Sequence, residues 1–205
     1  MSINSFDLSS TDATQFSDGN YVYIFRNQGE RLIIKIRSSH RMARKAKPIK
    51  ITVPDTIEYY IDLSKCFYRH SALTDISALK SFDSSKVVNM SEMFSGCHKL
   101  ASVEPLSEWN VSNVWDMSGT FFDCQSLNRL SELSAWNVNK DCILEAFYAK
   151  HIQFYQPIGK PPIGPIISTL GWDIRQKSDI DRILNNNFPQ WLVDRRQFMA
   201  SAKHF

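Results

Sequence analysis

The stretch Val87-Val-Asn-Met-Ser-Glu-Met-Phe-Ser-Gly-Cys97 returns 27 residues later as Val114-Trp-Asp-Met-Ser-Gly-Thr-Phe-Phe-Asp-Cys124. Shorter matches, Leu63-Ser-Lys-Cys-Phe67 and Leu144-Glu-Ala-Phe-Tyr148, lie one period before and one period after. A fixed period of this length is typical of proteins whose repeated units bury their apolar faces against each other. The sequence therefore predicts stacked units from about residue 59 to residue 154.

Aromatic and aliphatic residues keep this period and predict the core. One aromatic column is Phe67, Phe94, Phe121 and Tyr148, and another is Phe82, Trp109 and Trp136. Within a unit, the alternation from Val87 to Met90 predicts a short strand. The Asx and Ser residues that follow each strand are preferred helix N-caps, so a short helix is expected after it.

The quoted segments, with the connecting piece Trp109-Asn-Val-Ser-Asn-Val114, resemble the BspA-like leucine-rich repeats of bacterial surface proteins. The resemblance covers residues 59–154 and implies a role in binding other proteins. It also implies the fold class that we expect: an α/β, short, right-handed leucine-rich-repeat-like solenoid. We expect an N-terminal β-hairpin and C-terminal helices to cap its two ends.

The flanking segments differ in character from the repeats. Residues 1–54 read as a β-rich basic cap, because β-forming runs at 21–25 and 31–37 flank a short Gly-containing turn. Residues 55–155 form the predicted solenoid of about three and a half repeats. Residues 156–205 begin with a connector rich in Pro and Gly and continue with predicted helices whose apolar residues could cover the last repeat.

Composition places limits on the class of protein. The 205 residues carry a net charge of +3 and no apolar run of the ~20 residues that crosses a bilayer. The polar N-terminus lacks the features of a secretory signal, so we expect a cytoplasmic protein, or a surface or secreted one if a signal has been removed. The four cysteines form no CxxC pair, and buried free thiols in a monomer are expected.

The positive charge is concentrated in residues 31–50, which hold eight bases and no acid. This segment has three interpretations: a solvated cap surface, a contact to an acidic protein, or a contact to nucleic-acid phosphates. The rest of the chain is acidic, which makes nucleic acid the weaker of the binding alternatives. The basic patch consists of Arg31, Lys35, Arg37, Arg41, Arg44, Lys45, Lys47 and Lys50.

A second candidate surface is the outward side of the repeat strands. If Tyr60, Val87 and Val114 point inward, the next residue of each strand points outward, and in the third unit that residue is Trp115. A tryptophan on an open sheet face is typical of a binding hot spot, although a terminal segment could instead cover it. The predicted partner-binding residues are Trp115, Val88, Ile61 and Tyr59.

The sequence predicts neither a metal site nor an active site. His70, Cys97, Cys124 and His151 share one repeat column, but four ligands in a line cannot surround a tetrahedral zinc ion. The chain carries no nucleophile elbow, phosphate loop, dinucleotide fingerprint or HExxH motif. We therefore expect no metal, no cofactor and no enzymatic activity.

These features together predict a protein-binding protein. The short chain favours a dedicated binder of one partner protein, such as an inhibitor, an immunity-type protein of bacterial or phage origin, or an effector. A secreted or surface adhesion module is the second hypothesis, and contact with nucleic acid through residues 31–50 is the third.

Overall fold

The fold is built on one open, mixed sheet of five strands in the order of the chain. This computed structural model describes residues 14–28, 31–40, 43–145, 147–148 and 189–192. Strands β1 to β3 are antiparallel, whereas β3, β4 and β5 run parallel. The strands are β1 (Thr14–Ser17), β2 (Tyr21–Gln28), β3 (Arg31–Ser38), β4 (Tyr59–Asp62) and β5 (Val87–Asn89).

The predicted hairpin is present as β2 and β3, and it is joined directly to the repeats. Strand β3 pairs with β4, the first repeat strand, from Leu32 opposite Tyr59 to Lys35 opposite Asp62. Alternate residues of both hairpin strands are buried, because successive side chains of a strand face opposite sides of the sheet. These buried residues are Tyr21, Tyr23, Phe25, Leu32, Ile34 and Ile36.

The 27-residue period appears as hydrogen bonds between successive layers of the chain. The amide of Met90 donates to the carbonyl of Asp116 at 2.8 Å, and the amide of Met117 donates to that of Ile143 at 2.8 Å. The rings of Phe67 and Phe94 stack at 5.3 Å. Single β-bridges extend the sheet direction beyond β5, from Asn89 to Asp116 and on to Ile143.

The expected fold class, an α/β leucine-rich-repeat-like solenoid with helical caps, is wrong. The molecule has one open mixed sheet, and the hairpin is part of that sheet instead of a separate cap. The α-helical residues in the described ranges are 190–192 alone. The returning side of each repeat carries a three-residue 3-10 helix, at Ser77–Leu79, Glu104–Leu106 and Ser131–Leu133.

The Asx and Ser residues do not start helices, because the backbone there forms Asx turns and hydrogen bonds to the next layer. The Oδ1 atom of Asn89 accepts the amide of Ser91 at 2.8 Å, which closes a two-residue Asx turn. The amide of Glu92, which a helix would need, donates instead to Ser118 of the next layer at 2.7 Å. Glu92 also has a positive φ of 53°, a conformation that interrupts a right-handed helix.

Indole groups join the returning sides of the layers. The Nε1 atom of Trp109 donates to the carbonyl of Leu79 at 3.1 Å, and that of Trp136 donates to Leu106 at 2.7 Å. Trp191 repeats this bond with the carbonyl of Leu133 at 2.9 Å. Its ring also stacks on Trp136 at 6.2 Å. Trp191 therefore takes the place that the tryptophan of a further repeat would occupy.

Candidate binding surface

The side of the sheet opposite the core, here called the outer face, exposes two large apolar side chains. Trp115 is 52% exposed and Ile143 is 48% exposed. Their backbones are directly bonded, since the amide of Ile143 donates to the carbonyl of Trp115 at 2.9 Å. The amide of Trp115 in turn donates to the carbonyl of half-buried Val88 at 2.9 Å. These three residues, here called the apolar patch, cross three successive layers.

The outward direction of Trp115 and Val88 follows from a local irregularity. In the segment 87–90 of the second layer, Val87 and Met90 are buried, which leaves two consecutive residues, Val88 and Asn89, on the outer face. The register between β4 and β5 shifts at this point, as in a β-bulge. The third layer repeats the pattern with Trp115 and Asp116 between buried Val114 and Met117.

The first layer lacks this irregularity, and two predictions therefore fail there. Ile61 pairs with Val87, not Val88, and is only 3% exposed. The expectation that Ile61 points outward and Tyr60 inward is wrong, because β4 alternates regularly. Tyr59 pairs with buried Leu32 and is itself half-buried, so it belongs to the inner side of the sheet and not to the apolar patch.

The last layer also departs from the expected column. Cys142 lies one period after Trp115 and was therefore expected to point outward, but it is only 6% exposed. Ile143 is exposed in its place, at the position that Asp62, Asn89 and Asp116 fill in the earlier layers. The prediction missed Ile143, although its departure from that polar column was a visible signal.

Polar side chains continue the outer face toward the hairpin. The Nζ atom of Lys35 lies 3.2 Å from Asp62 Oδ2 and also donates to the hydroxyl of Ser64. Asn89 and Asp116 follow in the next two layers, each holding the amide of a serine two residues on. Polar side chains therefore run from Lys35 to Asp116 along the outer face, and the apolar patch lies beside them in the second to fourth layers.

The basic segment is partly neutralised by the acidic repeats. Arg31 pairs with Glu58 at 3.6 Å, Lys35 with Asp62 at 3.2 Å, and Lys45 with Asp75 at 3.3 Å. The ion pairs between described residues do not include Arg37, Arg44 or Lys47, and Lys50 has interactions of its own. Arg41 lies outside the described residues. Three bases of the segment therefore form ion pairs that join the hairpin side of the molecule to the first repeats.

The Cys and His column is part of the packing. The thiol of Cys97 donates to the carbonyl of Phe67 at 3.2 Å, and that of Cys124 donates to Phe94 at 3.2 Å. His70, in the first layer, contacts Ser38 Oγ through Nε2 at 3.0 Å. In the parts of the chain that are described, no three His, Cys, Asp or Glu side chains group as metal ligands would. His151 lies outside those parts.

None of the helical segments described has the length and apolar character that crossing a membrane requires.

Comparison with known proteins gives one family. A family model described as "Mycoplasma protein of unknown function, DUF285" matches residues 61–187, which is more than half of the chain. No curated protein and no solved structure gave a significant match.

Proposed function

The chain belongs to this family of Mycoplasma proteins of unknown function, and because the family description names no activity, we propose from the surface that the protein binds another protein. The binding site is the outer face of the sheet, centred on the apolar patch of Val88, Trp115 and Ile143. The observation that carries the proposal is the exposure of Trp115, 52%, beside Ile143, 48%. Exposed tryptophans with apolar neighbours are typical of binding hot spots.

Several features support this choice of surface. The patch continues into the Asn89 and Asp116 side chains, which supply hydrogen-bonding groups at its border, as in most protein interfaces. The resemblance of residues 59–154 to BspA-like repeats is a further reason to propose a protein partner. The ion pairs of Arg31, Lys35 and Lys45 leave fewer cations for phosphates, which makes nucleic acid the weaker alternative.

The test compares variants in quantitative binding to a partner captured from the native cell. Trp115→Ala removes the largest exposed side chain and should weaken the complex on the order of 30-fold, as loss of a hot spot does. Ile143→Ser should weaken it less. Thermal unfolding of both variants should match the wild type, since the side chains are exposed.

Phe16→Ala is the matched control. Phe16 is also an exposed aromatic, at 44%, but it lies on strand β1 at the other end of the sheet. This variant should bind as the wild type does. Equal binding by Trp115→Ala and the wild type would refute the proposal, and so would equal losses in all three variants. A single stoichiometric partner would favour a dedicated inhibitor, immunity-type protein or effector over an adhesion module.

A further inference from the structure

A second site, separate from the outer face, lies where the hairpin meets the first repeat. A cavity of about 480 Å³ opens between strands β2 and β3, the segment 43–47 and the first layer of the repeats. Its volume is within the range of pockets that hold small organic ligands, roughly 300–1,000 Å³. The walls are mostly apolar, and Tyr21, Phe67 and Leu73 form part of them.

The aromatic wall of the cavity is held in place by its own contacts. The rings of Tyr21 and Phe67 meet edge to face at 6.1 Å, and Phe67 meets His70 in the same way at 5.6 Å. The hydroxyl of Tyr21 donates to the carbonyl of Lys47 at 2.6 Å. The Nε2 atom of His70 lies 3.0 Å from Ser38 Oγ. These polar atoms are already satisfied by the protein, which leaves an apolar surface for a ligand.

The opposite wall, segment 43–47, is anchored to the first repeat. The amide of Ala46 donates to the carbonyl of Asp75 at 2.8 Å, and the amides of Thr74 and Asp75 both donate to the carbonyl of Arg44. Lys45 and Asp75 also form a parallel bridge. These bonds fix this wall of the cavity against the first repeat.

The charges around the cavity are of one sign. Lys45 and Lys47 contribute to the lining, and none of its residues is Asp or Glu. The Nζ atom of Lys45 lies 3.3 Å from Asp75 Oδ2, and Asp75 is not one of the residues that line the cavity. None of the ion pairs between described residues involves Lys47, the other lysine of the lining. The complementary ligand has an apolar body and a negative end.

We propose that this cavity binds a small amphipathic anion, an apolar chain or ring that carries one carboxylate. The apolar body packs against Tyr21, Phe67 and Leu73, and the carboxylate lies on the side of Lys47 and Lys45. The proposal is independent of the protein-binding role of the outer face.

The first test measures the affinity of hexanoate, octanoate and decanoate by titration calorimetry. Each buried methylene is worth about 0.8 kcal/mol, so the affinity should rise about fourfold per methylene until the cavity is full. Octanoate should also bind more tightly than octanol, and octylammonium should bind most weakly. An affinity that does not change with chain length, or octylammonium binding as tightly as octanoate, would overturn the proposal.

The second test places the ligand in the cavity. Ala43→Phe adds a ring to the lining of the cavity and should weaken octanoate binding at least tenfold, whereas Ala101→Phe adds the same ring at an exposed site of the repeats and should have no effect. Lys47→Gln should reduce the preference for octanoate over octanol, and Lys140→Gln at the far end of the repeats should not.

A measurement on the unaltered protein completes the test. Octanoate should shift the methyl resonances of Ala43, Ala46 and Leu73, which line the cavity, and leave those of Leu127 and Leu130 unmoved. Shifts spread evenly over both groups would indicate non-specific association and contradict the proposal. So would octanoate affinity that is equal in Ala43→Phe and the wild type.

Discussion

Positive φ angles recur at equivalent residues and limit which side chains each layer accepts. One such position holds Lys65, Glu92 and Gly119, and the other holds Arg69, Gly96 and Asp123. β-branched residues, which resist this conformation most, occupy neither position. The amides of these turns donate across to the next layer, as Arg69 donates to Ser95 at 2.7 Å. The layers therefore need this positive-φ conformation in order to form the hydrogen bonds between them.

Gly96 gives a direct test at this scale. It has a φ of 75°, and an added Cβ would lie 3.2 Å from Arg69 Cγ and 3.4 Å from Arg69 Cα. Gly96→Ala should therefore lower the free energy of unfolding by about 2 kcal/mol, measured by urea denaturation. Gly19→Ala is the control, since Gly19 has a φ of 86° but no atom within 4 Å of the added Cβ. It should cost about 1 kcal/mol, and an equal cost at both sites would contradict the role of the layer contact.

At the scale of elements, Trp191 closes the last repeat with a bond that the earlier tryptophans also make. Its indole donates to Leu133 and stacks on Trp136, and its ring lies edge to face with Phe147 at 5.7 Å. These contacts hold residues 190–192 against the last described layer. Neighbouring Leu192 is buried as well.

Trp191→Ala should destabilise the protein by about 2 kcal/mol, because it removes an aromatic stack and a hydrogen bond. Trp191→Phe keeps a ring without the N–H and should cost about half as much. Thermal or urea unfolding measures both changes. Trp115→Ala is the comparison, since this exposed tryptophan should be nearly neutral for stability. An unfolding midpoint unchanged by Trp191→Ala would mean that the segment does not close the stack.

The sequence predicts the structure correctly where a single physical cause determines it, and incorrectly where two causes compete. The apolar columns follow from burial alone, and Phe94, Leu100, Val103 and Leu106 are all buried. Asn89 and Ser91 suit a helix N-cap and an Asx turn equally well, and only the bonds to the next layer select the turn. The outward residues depend on the bulge at Val88, which a period of two does not reveal. The predicted outward direction of Trp115 agrees with its exposure, whereas Ile61, also predicted to point outward, is buried.

At the scale of the whole molecule, burial of the cysteines affects stability at high pH. Burial raises the pKa of the Cys97 thiol to about 12, and it also raises the pKa values of Cys66 and Cys124. An unfolded thiol titrates near pH 8.5. Between that value and the folded pKa, the unfolded chain loses protons that the folded protein keeps. The free energy of unfolding should therefore decrease as the pH rises through this interval.

Urea denaturation under reducing conditions at pH 8 and pH 10 measures this effect. Cys97 alone should account for about 1–2 kcal/mol of the loss between the two values. Cys97→Ala should lower the stability at both pH values but show a smaller loss between them. The same loss in Cys97→Ala and the wild type would show that this thiol does not titrate differently in the folded protein.

The hydrogen bond from the Trp191 indole to the carbonyl of Leu133 has a consequence for the evolution of the number of repeats. Because Trp191 makes with Leu133 the same bond that Trp136 makes with Leu106, a gained or lost 27-residue unit leaves the final carbonyl facing an indole. Duplication or deletion of one unit in the gene would thus preserve the closing contact. Recombination could then lengthen or shorten the outer face by whole 27-residue units, which would change the area that a partner can contact.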